Sequence, residues 1–184
     1  FIPFQNDNQI KETFSSFEKS ELVHKIYLLT DTNNSYSNYE SIKIDSLHST
    51  NTIKQIAEKA NSEYTLIYTK STTIHLGMFA LERMLQIAKD TNAGLVYADY
   101  YKIIDNEKKN NPVITYQKGS LRDDFDFGSV LLYKSDILKK AVAEMDKNYQ
   151  YAGLYDLRLK VSQKAEIVHI NEYLYTEIEN DNHK

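Results

Sequence analysis

The chain has 184 residues, with 22 Lys and Arg against 26 Asp and Glu, which gives a net charge of −4 at pH 7. This length fits one domain, and the slightly acidic balance argues against a nucleic-acid partner. Cysteine is absent, which excludes disulfide scaffolds, thiolate metal sites and cysteine nucleophiles. No apolar run approaches the roughly 20 residues of a membrane-spanning helix, so we expect no such segment in this chain.

The two ends of the sequence favour a piece of a longer protein. The run Phe1-Ile2-Pro3-Phe4 lacks an initiator methionine and is typical of a strand already under way, whereas the last residues are polar and without apolar period. We find no internal repeat and no Pro/Gly-rich linker, because the chain has only two Pro and five Gly. We therefore expect a single domain over residues 1–184, as a fragment of a longer chain.

In the first half, short β-branched runs alternate with stretches of helical period, which is typical of βα units around a mostly parallel sheet. Asn6, Asp7 or Asn8 begins a helix, and Thr50 or Asn51 caps another. The run from Asp31 to Ser41 has no apolar period and predicts a surface loop. Strands are predicted at residues 1–4, 25–30, 42–45 and 64–69.

In the second half the pattern predicts a sheet that is no longer purely parallel. A helix from about Leu76 to Asp90 precedes a strand at 95–97, and residues 101–104 and 113–116 predict an antiparallel hairpin. Further elements are a strand at 130–133, helices at about 135–145 and 155–163, and short strands at 166–170 and 173–176. The predicted fold class is α/β, a three-layer α/β/α sandwich with a mostly parallel, mixed central sheet.

Candidate ligand-binding residues follow from this fold, because open α/β sheets bind ligands beyond the carboxyl ends of their strands. The segments to consider are 3–6, 30–33, 69–73 and 98–101. The sequence has no Gly-x-Gly-x-x-Gly and no Gly-x-x-x-x-Gly-Lys-Ser/Thr, so dinucleotide and P-loop phosphate sites are not supported. The histidines, at positions 24, 48, 75, 169 and 183, show no pairing typical of zinc sites.

The opening Phe1-Ile2-Pro3-Phe4-Gln5-Asn6 and the later Ile26-Tyr27-Leu28-Leu29-Thr30-Asp31 resemble family 2 glycosyltransferases of the GT-A fold, and the resemblance covers almost the whole chain. It implies a nucleotide-diphosphate-sugar donor, bacterial polysaccharide biosynthesis and a cytoplasmic location, at or near the inner face of the membrane. It also implies donor contacts near the base and ribose from Pro3, Phe4, Gln5, Asn6 and Asp31. Ordinary turn chemistry is the alternative explanation for Asp31.

The metal motif of that family, Asp-x-Asp, should fall at Thr69-Lys70-Ser71, where both carboxylates are absent. Mg²⁺ or Mn²⁺ needs hard oxygen ligands to neutralise the departing diphosphate, so a divalent metal is doubtful and no metal ligand is assigned. Lys70 is the candidate for supplying positive charge instead, with Asp99 also placed at the diphosphate. The alternatives are a solvated loop lysine and a structural strand-end carboxylate.

This sequence also departs from the family's pattern at the general base of the inverting reaction. The matching run Gly153-Leu154-Tyr155-Asp156-Leu157 has no acidic pair at its start, which leaves Asp156 as the nearest carboxylate. A helix-dipole role is the alternative for Asp156. An acidic cluster, Asp123, Asp124 and Asp126, predicts an acceptor or cation site, or else a loop paired with Arg122; we assign Asp126 with Asp156 as the catalytic candidates.

Two functions remain open from the sequence. One is transfer of a sugar with inversion to a glycan, a lipid-linked acceptor or another hydroxyl. The other is a catalytically impaired module that binds a nucleotide sugar or glycan within a larger protein. The missing carboxylates favour the second, whereas the dense acidic loop and the resemblance to an enzyme family favour the first, and we predict the transferase with the module as the alternative.

Overall fold

The computed structural model describes residues 1–4, 6–32, 39–122 and 124–179, without the side chain of Gln9. The helices are α1 (Asp7–Glu18), α2 (Thr50–Lys59), α3 (Ala80–Thr91), α4 (Ser135–Ala143) and α5 (Gly153–Lys164). The strands are β1 (Ile2–Pro3), β2 (Tyr27–Thr30), β3 (Glu40–Lys43), β4 (Tyr64–Tyr68), β5 (Thr73–Leu76), β6 (Leu95–Ile104), β7 (Glu107–Asn111), β8 (Val130–Lys134) and β9 (Ile167–Glu179).

The amino-terminal half forms a parallel sheet. β2 lies between β1 and β3 and pairs with both in parallel. β4 continues beyond β1, because the Phe1 nitrogen donates to the Leu66 carbonyl at 2.8 Å and the Tyr68 N–H donates to the Phe1 carbonyl at 3.0 Å. Both bonds follow the parallel pattern, in which one residue bridges two residues of the partner strand. The carboxyl ends of β1, β2 and β4 therefore share one edge.

The second half adds β6, β7, β8 and β9, which form with β4 and β5 a mixed sheet in the order β4-β8-β6-β9-β5, with β7 paired to β6. β6 and β9 pair in parallel, whereas β8, β5 and β7 pair antiparallel with their neighbours. Helices α2, α4 and α5 contact one another, while α1 contacts β5 and α3 contacts β6 and β9. The predicted α/β fold class with a mixed central sheet is confirmed, with its parallel pairs concentrated in the first half.

Helix burial explains why these segments fold as they do. On α1 the apolar residues at helical spacing, Ile10, Phe14 and Phe17, are all buried. The prediction of Thr50 or Asn51 as the cap of α2 is wrong by one or two residues, because the Ser49 hydroxyl accepts the Thr52 N–H at 3.0 Å. Among the described residues, no helix combines the length and hydropathy needed to cross a bilayer.

Three predictions of strands and helices need correction. The helix predicted from about Leu76 begins at Ala80, and Leu76 instead ends strand β5, which was not predicted, pairs with β9 and donates backbone N–H groups to hydroxyls of α1. The hairpin partner of β6 is the polar run 107–111 instead of 113–116, since an exposed edge strand needs no apolar face. The strands predicted at 166–170 and 173–176 are one strand, β9, which crosses a register shift near Asn171 and Glu172.

Candidate functional site

The edge formed by the carboxyl ends of β1, β2 and β4 brings together several predicted donor residues. Pro3 ends β1, and the Phe4 N–H donates to the Leu29 carbonyl of β2 at 2.7 Å. Asp31 follows β2 directly and is exposed, and Lys70 lies two residues beyond β4. Because the three strands are parallel neighbours, these residues follow the same edge of the sheet. Gln5 lies outside the described residues.

Asn6 begins α1 at this edge. Its carbonyl accepts the Ile10 N–H at 3.0 Å, and its side-chain oxygen accepts the Asn8 N–H at 3.2 Å, which is the geometry of an N-cap. The first turn of α1 therefore begins beside the ends of β1 and β2. Backbone N–H groups at a helix start favour negative charge, so this arrangement is compatible with a nearby anion.

Lys70 is held by a buried carboxylate. Its Nζ lies 2.7 Å from Glu177 Oε2 on β9, and the other Glu177 oxygen accepts the Ser129 hydroxyl. The Glu177 side chain is fully buried, whereas the Lys70 side chain is 36 % exposed. An ammonium group has three donors, and the bond to Glu177 uses one of them. The pair itself is neutral, which reduces its attraction for a diphosphate.

A second lysine stands beside this pair. Lys102 is the register partner of Glu177, and its Nζ lies 5.6 Å from the centroid of the Tyr100 ring, while Lys70 Nζ lies 5.7 Å from it. Tyr100 stacks on Tyr175 with centroids 4.9 Å apart. Burial raises the pKa of both tyrosine hydroxyls, which therefore stay protonated. We call these five residues, Lys70, Tyr100, Lys102, Tyr175 and Glu177, the lysine cluster; two cations and one carboxylate give it one net positive charge.

The residues at the expected metal motif do not fit a divalent ion. Thr69 and Ser71 stand where the two carboxylates would be required, the Thr69 hydroxyl donates to the Ser129 carbonyl at 3.2 Å, and Lys70 between them brings an ammonium group. Within the described ranges, no group of three or more His, Asp or Glu side chains is arranged to hold a metal ion. Mg²⁺ and Mn²⁺ prefer several oxygen ligands. No chemical step is therefore assigned to a metal here.

Backbone packing closes position 153, where the resemblance to family 2 glycosyltransferases would place a carboxylate. The Gly153 N–H donates to the His48 carbonyl at 2.9 Å, and His48 Nε2 lies 3.3 Å from the Thr69 carbonyl at the end of β4. A Cβ added at Gly153 would lie 2.5 Å from the Thr50 nitrogen and 2.8 Å from the His48 carbonyl oxygen. The neighbouring Leu154 is buried. This close contact of α2 with α5 leaves no space for an acidic side chain at 153.

The other carboxylates that the sequence predicted for the site lie outside the contact between α2 and α5. Asp156 is in the first turn of α5 and is half-buried. Asp126 is exposed and accepts the Gly128 N–H at 2.7 Å, which supports the left-handed turn at Gly128 against Tyr175. Asp124 pairs with Arg122 at 3.0 Å, as the loop alternative expected. Asp123 lies outside the described residues.

Asp99 belongs to a different group of side chains from Lys70. Its Oδ1 lies 2.8 Å from His169 Nε2 and accepts the Val113 N–H at 2.9 Å. We call Asp99, His169 and Thr115 the histidine cluster, since His169 Nδ1 lies 2.7 Å from the Thr115 hydroxyl. The sequence predicted that Asp99 and Lys70 lie together at the diphosphate, whereas the structure places them in two different clusters. Tyr100, the next residue of β6, belongs to the lysine cluster, consistent with alternating strand faces.

Sequence reasoning missed Glu177, His169 and Thr115, because their partners are 107, 70 and 54 residues distant. The alternation Tyr173, Tyr175, Glu177 in β9 was the available signal for a shared strand face. A cavity of about 320 Å³ lies elsewhere, at the amino ends of β1, β2 and β4, among apolar and polar residues that include Tyr27, Leu66 and Lys25. It does not coincide with the predicted donor edge.

Comparisons with known proteins place the fold. No family model and no curated protein matches the chain. S. aureus TarS 1–349 in complex with UDP-GlcNAc matches with a TM-score of 0.68 and 12 % identity, over 98 % of this chain and 58 % of that chain. The bifunctional IspDF from Campylobacter jejuni matches with a TM-score of 0.54 and 17 % identity, over 94 % and 44 %. This chain thus spans about half of those two chains, and it shares with TarS a GT-A-like α/β fold.

Proposed function

We propose that this chain binds a nucleotide-diphosphate sugar at the edge formed by β1, β2 and β4. The observation that carries the proposal is the parallel order of these strands, which aligns Pro3 and Phe4, Asp31 and Lys70 along one edge. Asp31, with residues 3–6 including Gln5 and Asn6, would contact the base and ribose. The crystallisation of TarS, a protein of similar fold, with UDP-GlcNAc and with UDP supports this ligand class.

The lysine cluster is the proposed diphosphate site. At 4 Å and an effective dielectric constant of about 20, one pair of unit charges contributes roughly 4 kcal/mol, so one ammonium supplies half the attraction of a divalent ion. Lys102 offers a second charge near Tyr100, while Glu177 cancels one of the two. We therefore expect donor binding that is weak and does not require a metal.

Sugar transfer is impaired in this proposal. An inverting transfer needs a base that reaches the acceptor hydroxyl, and a positioned base contributes about 10²- to 10⁴-fold to the rate. The contact of Gly153 with the Thr50 backbone leaves no space for a carboxylate at the family's position. We therefore favour a nucleotide-sugar-binding domain of a larger protein over an efficient enzyme.

Transfer with inversion to a glycan or lipid-linked hydroxyl is the second candidate function. The observation in its favour is the half-buried Asp156 carboxylate, three residues along α5 from Gly153. In this version Asp156 removes the acceptor proton, and Asp126, exposed before β8, contacts the acceptor. Asp99 takes no part in it, because its side chain is only 2 % exposed and its Oδ1 already binds Val113 and His169.

Calorimetric titration with UDP, GDP and UDP-GlcNAc, in Mn²⁺ and in EDTA, tests donor binding. We expect binding of at least one nucleotide with similar affinity in both solutions, and weaker binding by Asp31→Ala. Asp136→Ala is the matched control, because Asp136 is exposed on α4, away from the strand ends. Absence of binding by all three nucleotides would contradict the proposal, and a strict Mn²⁺ requirement would contradict the assignment of the diphosphate to lysine.

A donor-hydrolysis and transfer assay separates the two candidate functions. Binding without turnover supports the module. Turnover that is lost in Asp156→Asn, while nucleotide binding persists, supports the transferase. Because Asp156→Asn keeps the size of the side chain, its effect reports the loss of a proton acceptor.

A further inference from the structure

The His169 imidazole is enclosed between two oxygen atoms. Nε2 lies 2.8 Å from Asp99 Oδ1, and Nδ1 lies 2.7 Å from Thr115 Oγ1. The side chains of His169 and Asp99 are only 4 % and 2 % exposed. The ring of Tyr97 stacks on the imidazole with centroids 5.0 Å apart, which fixes its plane. The histidine cluster is therefore a rigid, largely buried arrangement.

The hydrogen-bond partners determine where the imidazole proton lies. Asp99 Oδ1 accepts from the Val113 N–H, and it acts as an acceptor toward Nε2 as well. Nε2 therefore carries the proton, and in the neutral ring Nδ1 keeps its lone pair. The Thr115 hydroxyl donates to that lone pair. A hydroxyl, a base and a carboxylate that orients the base are the three parts of an activated nucleophile.

Enclosure limits what this base can act on. With its ring buried, His169 reaches the exterior through Thr115, and Thr115 is an exposed residue. The exposed Thr91 provides a contrast, because its hydroxyl donates to the Ile87 carbonyl at 2.7 Å, which cannot take up a proton. Two surface threonines of the same chain therefore differ in whether a base accepts their proton.

We propose that Thr115 is a nucleophilic hydroxyl that accepts an acyl group from an activated acyl ester. Thr115 Oγ1 attacks the acyl carbonyl while its proton passes to His169 Nδ1. The ester C–O bond then breaks, the alcohol leaves with that proton, and Thr115 carries the acyl group as an ester. Asp99 stabilises the transient imidazolium through Nε2. This activity goes beyond donor binding and uses no nucleotide sugar.

The surroundings favour an acyl group over a phosphoryl group. Ile114, beside Thr115, is 74 % exposed and offers an apolar contact for an acyl chain. The residues between Pro112 and Tyr116 are uncharged, and in the described parts of the chain the hydrogen bonds of Thr115 and His169 involve no Lys or Arg. A transferring phosphoryl group needs such cations, whereas a neutral acyl ester does not.

Acylation by p-nitrophenyl acetate, followed by peptide mass mapping, tests the proposal on the whole chain. General-base assistance typically supplies at least about 10²-fold, so we expect Thr115 to be acetylated about 100 times faster than Thr91. Thr115→Val, which keeps the side-chain shape, removes this product and leaves the slow labelling of Thr91. His169→Gln reduces the Thr115 rate to that of Thr91, and Asp99→Asn reduces it without altering the rate at Thr91.

Measurements on the unmodified chain keep the test decisive if a variant fails to fold. Transfer of the Thr115 proton in the rate-limiting step predicts slower labelling in D₂O than in H₂O. Labelling of Thr115 at less than about ten times the rate of Thr91, or without slowing in D₂O, would overturn the proposal. Nucleotide binding is read separately by calorimetry, so failure of this inference and failure of the proposed donor site are distinguishable.

Discussion

The lysine cluster and the histidine cluster each contain one buried carboxylate, and they differ in the group that compensates its charge. Glu177 and Asp99 are both buried carboxylates of the β6–β9 region, and each must be compensated. Glu177 is compensated by Lys70, whose side chain is about one-third exposed. Asp99 is compensated by an enclosed imidazole and by the Val113 backbone N–H.

The exposure of the partner decides what each cluster offers to solvent. A partly exposed ammonium has three donors, of which the bond to the carboxylate uses one, and this suits an anionic ligand. An enclosed imidazole makes no direct contact with solvent. It can accept the proton of the one hydroxyl that it binds, which suits proton transfer. A buried carboxylate therefore supports anion binding in the lysine cluster and activation of a hydroxyl in the histidine cluster.

Asp99→Ala is expected to give the largest loss of stability. The substitution leaves the Val113 N–H and the His169 ring N–H without an acceptor, and each buried unsatisfied group costs about 1–3 kcal/mol. We expect the free energy of unfolding, measured by urea titration, to fall by roughly 4 kcal/mol. Asp124→Ala is the matched control, because Asp124 pairs at the surface with Arg122 and should change stability by less than about 1 kcal/mol. Equal losses would contradict a structural role for the buried bonds.

Lys70→Ala is expected to have the next largest effect. It leaves Glu177 buried beside Ser129 without a cation, which should cost about 3 kcal/mol in urea unfolding. Glu177→Gln in the same chain removes the buried charge, so the double variant should lose less than Lys70→Ala alone. If the two losses simply add, the pair does not compensate the charge as described.

Tyr97→Phe is expected to cost about 1 kcal/mol at neutral pH. The Tyr97 hydroxyl donates to the Ile114 carbonyl at 2.8 Å and accepts the Tyr116 N–H at 2.7 Å, and so holds the segment that carries Thr115. Burial raises the pKa of Tyr97 to about 12, against about 10 in the unfolded chain.

The raised pKa of Tyr97 gives this effect a pH dependence. Its stabilising contribution is complete below pH 10 and is lost as the pH rises toward and through 12. The difference in unfolding free energy between the wild type and Tyr97→Phe should therefore shrink between pH 10 and pH 12. A constant difference across this range would show that the hydroxyl does not titrate as proposed.

Local patterns predicted much of the fold. The apolar spacing of Ile10, Phe14 and Phe17 predicted α1, and the β-branched runs predicted β2, β4 and β8, because burial of one face leaves a period in the sequence. β7 left no such signal, since an exposed edge strand of charged and polar residues reads as a loop. Strand β5 was hidden by the helical spacing of the residues that follow it.

The candidate site was less predictable, because its contacts join distant parts of the chain. Lys70 could be selected from its place after β4, but its partner Glu177 follows from the pairing of β9, which the sequence alone did not fix. The same holds at Gly153. The sequence shows that a carboxylate is missing there, but only the packing of the Thr50 backbone shows that a side chain would not fit. Long-range packing, which no local pattern encodes, supplies this information.

Lys102→Ala is expected to have the smallest effect and to separate binding from stability in the lysine cluster. Lys102 is partly exposed beside Tyr100, so its loss should change the free energy of unfolding by less than about 0.5 kcal/mol. Loss of one partly screened cation should weaken nucleoside-diphosphate binding about fivefold, measured by calorimetry at low salt. Lys109→Ala, at the register partner of Lys102 on edge strand β7, is the control. Equal weakening by both variants would show that the diphosphate responds to overall charge, and the binding role assigned to the lysine cluster would fail while its structural role stood.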